Sequence, residues 1–305
     1  MSENVGTPFA VITAVWGREY AEFYAAHVLP TSLPSGCAVI AATTMADADM
    51  VRSLVGGKAK VIVADMESSD KYRLASSLEK FAIRWASAHL GFKRFVLQNP
   101  DLHISSAAFE RCVHSSHRII TVPGIRIHKE EYLAAYGSIR AFADDDLLLN
   151  AMTCLHPSTK ALAISGGYRA ASGCWPSTLY AIEPRRIFGV AFHRHPLMFE
   201  VGDLMGEDTG TLDDRFLSSL GHGLSADYEF PGHSSEGYIL EFSSLSHSPH
   251  KVDRDRIRLA DVKQFARSCS REHREFARHT FTWSSDPDDV YQNPFDLMEF
   301  GPSQP

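Results

Sequence analysis

The sequence has little cysteine, no glycine-rich phosphate loop and no long apolar run. Its cysteines are odd in number and scattered, with no C-x-x-C pair, which argues against a zinc cluster, a redox dithiol or a disulfide scaffold. They are Cys37, Cys112, Cys154, Cys174 and Cys269. No stretch approaches the roughly 20 apolar residues of a membrane helix, and the apolar start lacks the basic residues of a signal peptide. These features predict a cytosolic protein with reduced thiols.

Several enzyme signatures are also missing. The turn after the first apolar run has one glycine, Gly17, where a dinucleotide-binding fingerprint needs three, and no G-x-x-x-x-G-K-[ST] loop is present. There is neither an H-E-x-x-H nor a G-x-S-x-G motif. The formal net charge of −7 argues against a protein that coats nucleic acid. The sequence therefore gives no support for an NAD enzyme, a P-loop enzyme, a zinc protease or an α/β-hydrolase.

The composition is that of a globular protein. The 305 residues are 44% hydrophobic and 22% charged, and this length allows one large domain or two ordinary ones. Short apolar runs alternate with amphipathic stretches through the first half of the chain. The apolar runs PFAVITAVWG, CAVIAATT, AKVIVAD, KRFVLQ and RIITVPG predict strands. Such alternation predicts an α/β fold with a mainly parallel sheet and helices on both faces.

The longest predicted helix follows Ser68 and Ser69, which are candidate N-caps, and ends at Gly91. The sequence as a whole divides into parts that differ in their pattern of apolar and charged residues. We assign 8–128 to a nucleotide-binding α/β half and 129–245 to a helical, then mixed-strand, half of the same domain that forms a C-terminal α+β portion. Residues 246–280 form a basic amphipathic helix region, and 281–305 form an acidic, partly ordered tail.

One candidate site lies where the apolar run FVLQ ends. Asn99, Pro100, Asp101 and His103 follow this run, and open α/β sheets bind ligands at the carboxyl ends of their strands. A carboxylate there can bind Mg²⁺ or Mn²⁺ together with substrate phosphate oxygens. The alternative is that Asp101 caps the following helix or turn. The sequence leaves both interpretations open.

A second set of candidates lies later in the chain. Two-residue alternation puts His193 and His195 on one side of a strand, where imidazoles can bind a metal or phosphate. They can equally be polar residues at a strand edge. Asp213 and Asp214 precede a short apolar run, so either is a candidate general base or a helix cap.

These segments together resemble the nucleotide-sugar half of GT-A-type glycosyltransferases. The resemblance is carried by a long helix with a basic start at Lys71 and then the strand FVLQNPDLHIS, and it extends to HRHPLM and TLDDRFL. The order and spacing of these segments are also similar to those of uncharacterised bacterial glycosyltransferase-like proteins. It implies that Asp101 is the first acid of a D-x-D-like metal motif, with His103 where the second acid normally stands.

The resemblance also implies roles for the other candidates. Asp101, His103 and His195 would bind Mn²⁺ or Mg²⁺, and Lys71, Asn99 and Asp101 would bind the donor. Asp214 or Asp213 would be the base. Apart from the resemblance, the negative charge that develops on a departing nucleoside diphosphate needs cationic groups, for which Lys71, Arg84, Arg94 or Arg126 is available.

The sequence therefore predicts a cytoplasmic glycosyltransferase that uses a nucleotide-sugar donor and an unidentified hydroxyl or amine acceptor. The alternatives are a metal-dependent phosphohydrolase and a non-catalytic nucleotide-binding or scaffold protein of similar fold. No nucleic-acid partner is expected. The oligomeric state stays open, a homo-oligomer included.

Overall fold

The computed structural model describes residues 6–161, 178–191, 196–201, 227–245 and 271–289. The chain forms two compact units, each made of two separate stretches of sequence. The first unit takes residues 1–122 and 195–229, and the second takes residues 123–194 and 230–305. Of the helices in the described ranges, none combines the length and the apolar character that crossing a membrane requires.

The regular elements are numbered in chain order. The strands are β1 (Phe9–Ala14), β2 (Ala38–Thr44), β3 (Lys60–Ala64), β4 (Arg94–Leu97), β5 (Leu102–Ile104), β6 (Ile119–Thr121), β7 (Gly124–His128), β8 (Thr178–Glu183), β9 (Arg186–Ala191), β10 (Pro196–Glu200), β11 (Tyr228–Glu229), β12 (Ile239–Ser243) and β13 (Thr280–Ser284). The α-helices are α1 (Arg18–Phe23), α2 (Ala48–Val55), α3 (Lys71–Leu90), α4 (Ser106–His114), α5 (Lys129–Tyr136), α6 (Asp144–Thr153), α7 (Pro157–Ala161) and α8 (Arg271–Arg278). Short 3₁₀ turns cover Gly56–Lys58, Ile139–Ala141 and Ser234–Glu236, and Tyr24–Val28 form a π turn.

A seven-stranded sheet forms the centre of the first unit, with the order β11-β6-β10-β4-β1-β2-β3. Strands β1 to β4 are parallel, and β10 is antiparallel to both of its neighbours, β4 and β6. The chain moves outward from β1 to β3 and then returns to the other side of β1 as β4. Right-handed crossovers place α1 and α2 on one face of the sheet and α3 on the other. This confirms the α/β class with a mainly parallel sheet.

The two faces of β1 are covered by different helices. Phe9 stacks on Phe109 of α4 with ring centroids 5.9 Å apart, so alternate residues 9, 11 and 13 face α4. Ala10, Ile12 and Ala14 face the other way and pack under α3, where the small alanine side chains let the helix approach closely. All six residues of β1 are buried, which explains its unbroken apolar sequence.

Helix α3 begins at an aspartate rather than at the predicted serines. The Asp70 carboxylate accepts hydrogen bonds from the backbone N–H groups of Tyr72 at 3.0 Å and Arg73 at 3.2 Å, so Asp70 is the N-cap. The predicted caps were wrong because Ser68 and Ser69 precede the cap position, and the Ser68 hydroxyl accepts a hydrogen bond from the Asp70 N–H instead. Gly91, at φ +73°, ends the helix as predicted.

The second unit has two small sheets in the described ranges. Strands β7 and β12 pair in parallel, and β13, β9 and β8 form an antiparallel sheet in that order. Strands β8 and β9 form a hairpin whose turn is residues 184–185, since Glu183 pairs with Arg186. Gly189 in β9 makes room for the buried Trp283 of β13, because a Cβ at this position would lie 2.6 Å from the indole ring.

The sequence did not predict several of these strands as they occur. Strands β5, β7, β11 and β13 were not recognised as separate strands, and the antiparallel direction of β10 was not foreseen. His193 and His195 lie outside the described residues, between β9 and β10, which belong to different sheets.

Candidate functional site

The sheet order of the first unit identifies one edge as the place for a ligand. Strands β1 and β4 are neighbours, but the next strand of the sheet after β1 is β2, on one side of this pair, and the next after β4 is β6, on the other side, which makes the pair the topological switch point. Open α/β sheets bind ligands outside the carboxyl ends of the strands at such a point. The residues there are those following Ala14 in β1 and those following Leu97 in β4.

The turn after β4 is held by Gln98, whose side chain is only 1% exposed. Its amide Nε2 donates hydrogen bonds to the carbonyls of Val28 at 3.4 Å and Leu102 at 3.2 Å. The Leu102 N–H in turn donates to the Asn99 carbonyl at 3.0 Å. These hydrogen bonds hold the turn from its buried side, and Asn99 is exposed at its tip.

Asp101 and His103, the predicted metal residues, lie in and after this turn. Asp101 is half-buried and His103 lies in β5. Asp101 does not cap α4, because the Ser105 side chain occupies that position and accepts from the Ala108 N–H at 3.3 Å. The interpretation of Asp101 as a cap of the following helix is therefore wrong, while its role as a ligand-binding acid stays a prediction.

Other buried polar atoms lie on the α4-facing side of the same sheet. The hydroxyls of Thr13 in β1 and Thr43 in β2, and the Oε1 atom of Gln98, have no hydrogen-bond partner among the described groups. The register pairs Thr13 with Ala41, so Thr13 and Thr43 point to the same face of neighbouring strands. A buried polar atom without a partner is costly, about 1–3 kcal/mol each. Such atoms next to a ligand edge are candidates for ligand contact.

The loops after β1 and β2 are tied together beside this turn. The Gly17 N–H and the Thr44 hydroxyl both donate to Oδ2 of Asp47 at 3.1 Å. Gly17 has φ +71°, and a Cβ added to it would meet nothing within 4 Å. The backbone at this point is therefore open to an approaching group. Neighbouring Trp16 and Tyr20 stack with ring centroids 6.4 Å apart.

Lys71 begins α3 and is exposed. Its ammonium lies 5.1 Å from the ring centroid of Tyr72. Since β1 to β4 are parallel and α3 follows β3, the helix starts at the carboxyl edge of the sheet, the same edge as Asn99 and Asp101. The structure shows no contact between Lys71 and these two residues, so donor binding by Lys71 stays a prediction.

Two of the arginines expected near a diphosphate are engaged elsewhere. Arg94 begins β4 at the opposite, amino edge of the sheet and donates to Glu200 at 2.7 Å. Arg126 lies in the second unit, where it forms a two-pronged ion pair with Glu241. The predicted role as a phosphate-binding cation is therefore wrong for Arg94, which lies at the opposite edge of the sheet from the candidate site. For Arg126, the ion pair with the Glu241 carboxylate competes with phosphate binding.

The remaining predicted residues cannot be placed. His195, Asp213 and Asp214 lie outside the described residues. Across the part of the chain that is described, no group of three or more His, Cys, Asp or Glu side chains is arranged to hold a metal ion. The predicted ligand set includes His195, so the metal site stays a prediction.

The second unit has its own polar cluster around His156, which is fully buried. Its Nδ1 accepts from the Ser158 N–H at 3.1 Å and lies 2.8 Å from the Ser158 hydroxyl. Burial, followed by the positive charge of Arg126, lowers the pKa of His156 below its ordinary value. The imidazole therefore stays neutral and serves as an acceptor in a local turn, which is a structural use.

Sequence reasoning missed Gln98, Thr13 and Asp47 at the ligand edge. A signal was present for Gln98, since a polar amide directly before Asn-Pro at the end of an apolar strand is unusual in a buried position. Thr13 and Asp47 gave no signal, because a threonine in a β-rich run and an aspartate before a helix are both ordinary.

Comparison with known proteins adds little. No protein-family model matches the chain, and a comparison with curated proteins finds no match. Among solved structures the chain is similar to the inositol-1-phosphate CTP transferase from T. maritima, with 8% sequence identity and a TM-score of 0.33. The match covers 79% of this chain and 92% of that chain. A similarity of this size does not carry an activity from one protein to the other.

Proposed function

We propose that the protein is a transferase that moves a sugar from a nucleotide-sugar donor to a hydroxyl or amine acceptor. The observation that supports this most is the position of the turn 98–101. It follows β4 at the switch point, beside the open backbone of Gly17, where an α/β sheet of this order binds its ligand. This is also the strand that the GT-A resemblance assigns to the metal motif.

The reaction needs two kinds of help from the protein. As the bond between the sugar C1 and the diphosphate oxygen breaks, the electron pair leaves with the nucleoside diphosphate, and cationic groups stabilise the charge. The acceptor forms the new bond to C1 and loses a proton to a carboxylate, for which Asp214 or Asp213 is our candidate. Lys71, Asn99 and Asp101 bind the donor in this proposal.

A divalent cation would bind to Asp101, His103 and His195. A set that combines carboxylate oxygen with imidazole nitrogen fits Mn²⁺ better than Mg²⁺, which takes oxygen ligands. The cation would neutralise charge on the diphosphate. The protein's own contribution is to hold Asp101 in a turn that Gln98 closes from beneath.

A thermal-shift screen tests donor binding. UDP, GDP, CMP and CDP, and their sugar conjugates, are each added with and without Mn²⁺. A ligand at 100 times its dissociation constant adds about 2.7 kcal/mol, which raises the melting temperature of a protein of this size by a few degrees. A shift for one nucleotide that grows with Mn²⁺ is expected.

A matched pair of variants locates the binding. Asp101→Asn should abolish the Mn²⁺-dependent part of the shift. Asp49→Asn is the control, because the Asp49 side chain is fully exposed on α2 and pairs with Arg52 of the same helix. An equal loss in both variants, or in neither, would remove Asp101 from the site.

Donor hydrolysis by Asp214→Asn and Asp213→Asn tests the base. The variant that lacks the base should turn over donor at least a hundredfold more slowly while its nucleotide shift is kept. Absence of a shift with every nucleotide would overturn the proposal. Release of phosphate from simple phosphoesters would then favour the phosphohydrolase, and nucleotide binding without Mn²⁺ dependence or turnover would favour a scaffold protein.

A further inference from the structure

The outer strand β3 ends one side of the seven-stranded sheet. It is the last strand in the sheet order of the first unit, and among the described residues it pairs only with β2. An outer strand directs a row of backbone N–H and C=O groups away from the sheet, where another strand can bind them. Within the described structure, β3 therefore offers a free hydrogen-bonding side to a partner.

The outer strand on the other side, β11, has protection that β3 lacks. Strand β11 has only two residues, and its Glu229 is held in an ion pair with Arg111. Proteins commonly keep outer strands from pairing by making them short or by placing charged residues or proline in them. Strand β3 has five residues, and Val61–Ala64 contain neither a charge nor a proline. Its one charged side chain, Lys60, places its ammonium 4.7 Å from the ring centroid of Trp85 on α3, so the lysine lies over a face of the sheet.

Apolar side chains border β3 on both faces of the sheet. Lys60 points to the α3 face, so Val61 and Val63, which alternate with it, point to the other face. Both valines are partly exposed, and so is Trp85 on the α3 face. A stable interface buries about 1,200 Å² or more in total, which five paired strand residues do not supply by themselves. The valines and the tryptophan provide further apolar area beside the strand.

The charges at the two ends of β3 have opposite signs. Lys58 and Lys60 lie at its start, Asp65 and Glu67 follow its end, and all four residues are exposed. When two copies of such a strand pair in antiparallel, the basic end of each lies beside the acidic end of the other. A parallel pair would bring like charges together, which is unfavourable. The charge pattern is therefore complementary to an antiparallel copy of itself.

An antiparallel pair of identical strands is also closed. A two-fold axis perpendicular to the sheet relates the two copies, so every contact is made twice and no third copy can add at β3. With the axis at Ile62, Val61 of one copy lies opposite Val63 of the second copy. The uncharged centre of the strand then meets itself, and the charged ends meet their opposites.

We propose that the protein forms a homodimer in which the β3 strands of two copies pair in antiparallel. The pairing joins the two seven-stranded sheets into one continuous sheet, and the partner is a second copy of this chain. This inference does not depend on the proposed function. Strand β3 is separated from the switch point by β2, so the dimer leaves the carboxyl ends of β1 and β4 open.

Sedimentation velocity of the full chain over a range of protein concentrations tests the dimer. The wild-type protein should approach twice its mass of 33.8 kDa as the concentration rises. Lys58→Glu and Glu67→Lys should each raise the dimer dissociation constant about tenfold, because each reversal replaces two attractive contacts by two repulsive ones. The double variant should restore the wild-type constant, because the ends again carry opposite charges. Glu110→Lys is the matched control, since it makes the same change of charge at an exposed residue of α4 and should have no effect.

Amide hydrogen exchange locates the interface. Exchange at Val61–Ala64 should slow as the concentration of the wild-type protein rises. Val63→Lys puts a charge at the centre of the pair, so this variant should stay monomeric and its β3 exchange should not depend on concentration. The reversals at Lys58 and Glu67 change exposed side chains, so they decide the question even if Val63→Lys does not fold. A monomer at every concentration, a dimer that neither reversal weakens, or β3 exchange that ignores concentration in the wild type would overturn the proposal.

Discussion

The two edges of the seven-stranded sheet differ in how completely their buried polar side chains are paired. At the amino edge, Arg94 donates to Glu200 at 2.7 Å and to the carbonyls of Ser115 and Cys112, and Arg111 donates to Glu229 at 2.5 Å. At the carboxyl edge, buried oxygen atoms of Thr13 and Gln98 have no partner in the described structure.

This difference separates structural from functional polar groups. The paired charges at the amino edge hold β4, β10 and α4 together, so they stabilise the fold. Unpaired groups at the carboxyl edge are unfavourable unless something else binds them. The comparison predicts that substitutions at the amino edge change stability, whereas those at the carboxyl edge change ligand binding.

The largest effect should come from breaking the amino edge. Arg94→Met removes the 2.7 Å ion pair with Glu200, which keeps Arg118 at 3.6 Å, and the donor to two backbone carbonyls; the Arg94 side chain is 93% buried. We expect the free energy of unfolding to fall by about 3–5 kcal/mol in denaturant titrations. Arg52→Met, which breaks an exposed pair with Asp49, should change it by less than about 0.5 kcal/mol. Equal effects would remove the distinction between buried and exposed pairs.

The next effect belongs to Glu79 and has the opposite sign. Burial raises the pKa of Glu79 in the folded protein to about 7, above its ordinary value of 4.5, so the folded state binds more protons between these two values. The wild-type protein is therefore most stable below pH 4.5 with respect to this group and loses that contribution as the pH rises through 7. Glu79→Gln removes the penalty and should raise the free energy of unfolding at pH 8 by up to about 3 kcal/mol.

The measurement is chemical denaturation of both proteins between pH 5 and pH 8. The gain of the glutamine variant should shrink steadily as the pH falls through 7. A gain that does not depend on pH would mean that Glu79 does not titrate in this range.

The third substitution, Gln98→Leu, acts on the carboxyl edge. It removes the donor to the Val28 and Leu102 carbonyls and should lower the free energy of unfolding by about 2 kcal/mol. It should also reduce the nucleotide-induced thermal shift, because the turn that carries Asp101 loses its support. Thr43→Val is the comparison: the Thr43 hydroxyl has no described partner, so stability should be nearly unchanged. A normal thermal shift in Gln98→Leu would show that the turn does not take part in binding.

The sequence predicted the strands that are continuously apolar and the helix with regular apolar spacing. Strands β1 to β4 and helix α3 were found in this way, since these patterns are local. The antiparallel direction of β10 was not predictable, because its partners lie about a hundred residues earlier in the chain. The Asn99 to His103 segment was recognised from its position after a strand. Gln98 and Glu79 were not, because their burial depends on neighbours that only the folded chain brings together.

The smallest stability effect should come from Gly17→Ala, which tests whether the β1 side of the carboxyl edge takes part in ligand binding. Gly17 has φ +71° and open space around it, so the alanine is opposed only by backbone strain, of about 1–2 kcal/mol. Gly56→Ala is a matched control, because Gly56 also has a positive φ, +55°, and nothing within 4 Å, but it follows α2 away from the switch point. Both variants should lose similar stability by thermal unfolding, and only Gly17→Ala should reduce the nucleotide-induced shift. If both variants keep the full shift, the backbone at Gly17 does not approach the ligand, and the site lies nearer to β4 than to β1.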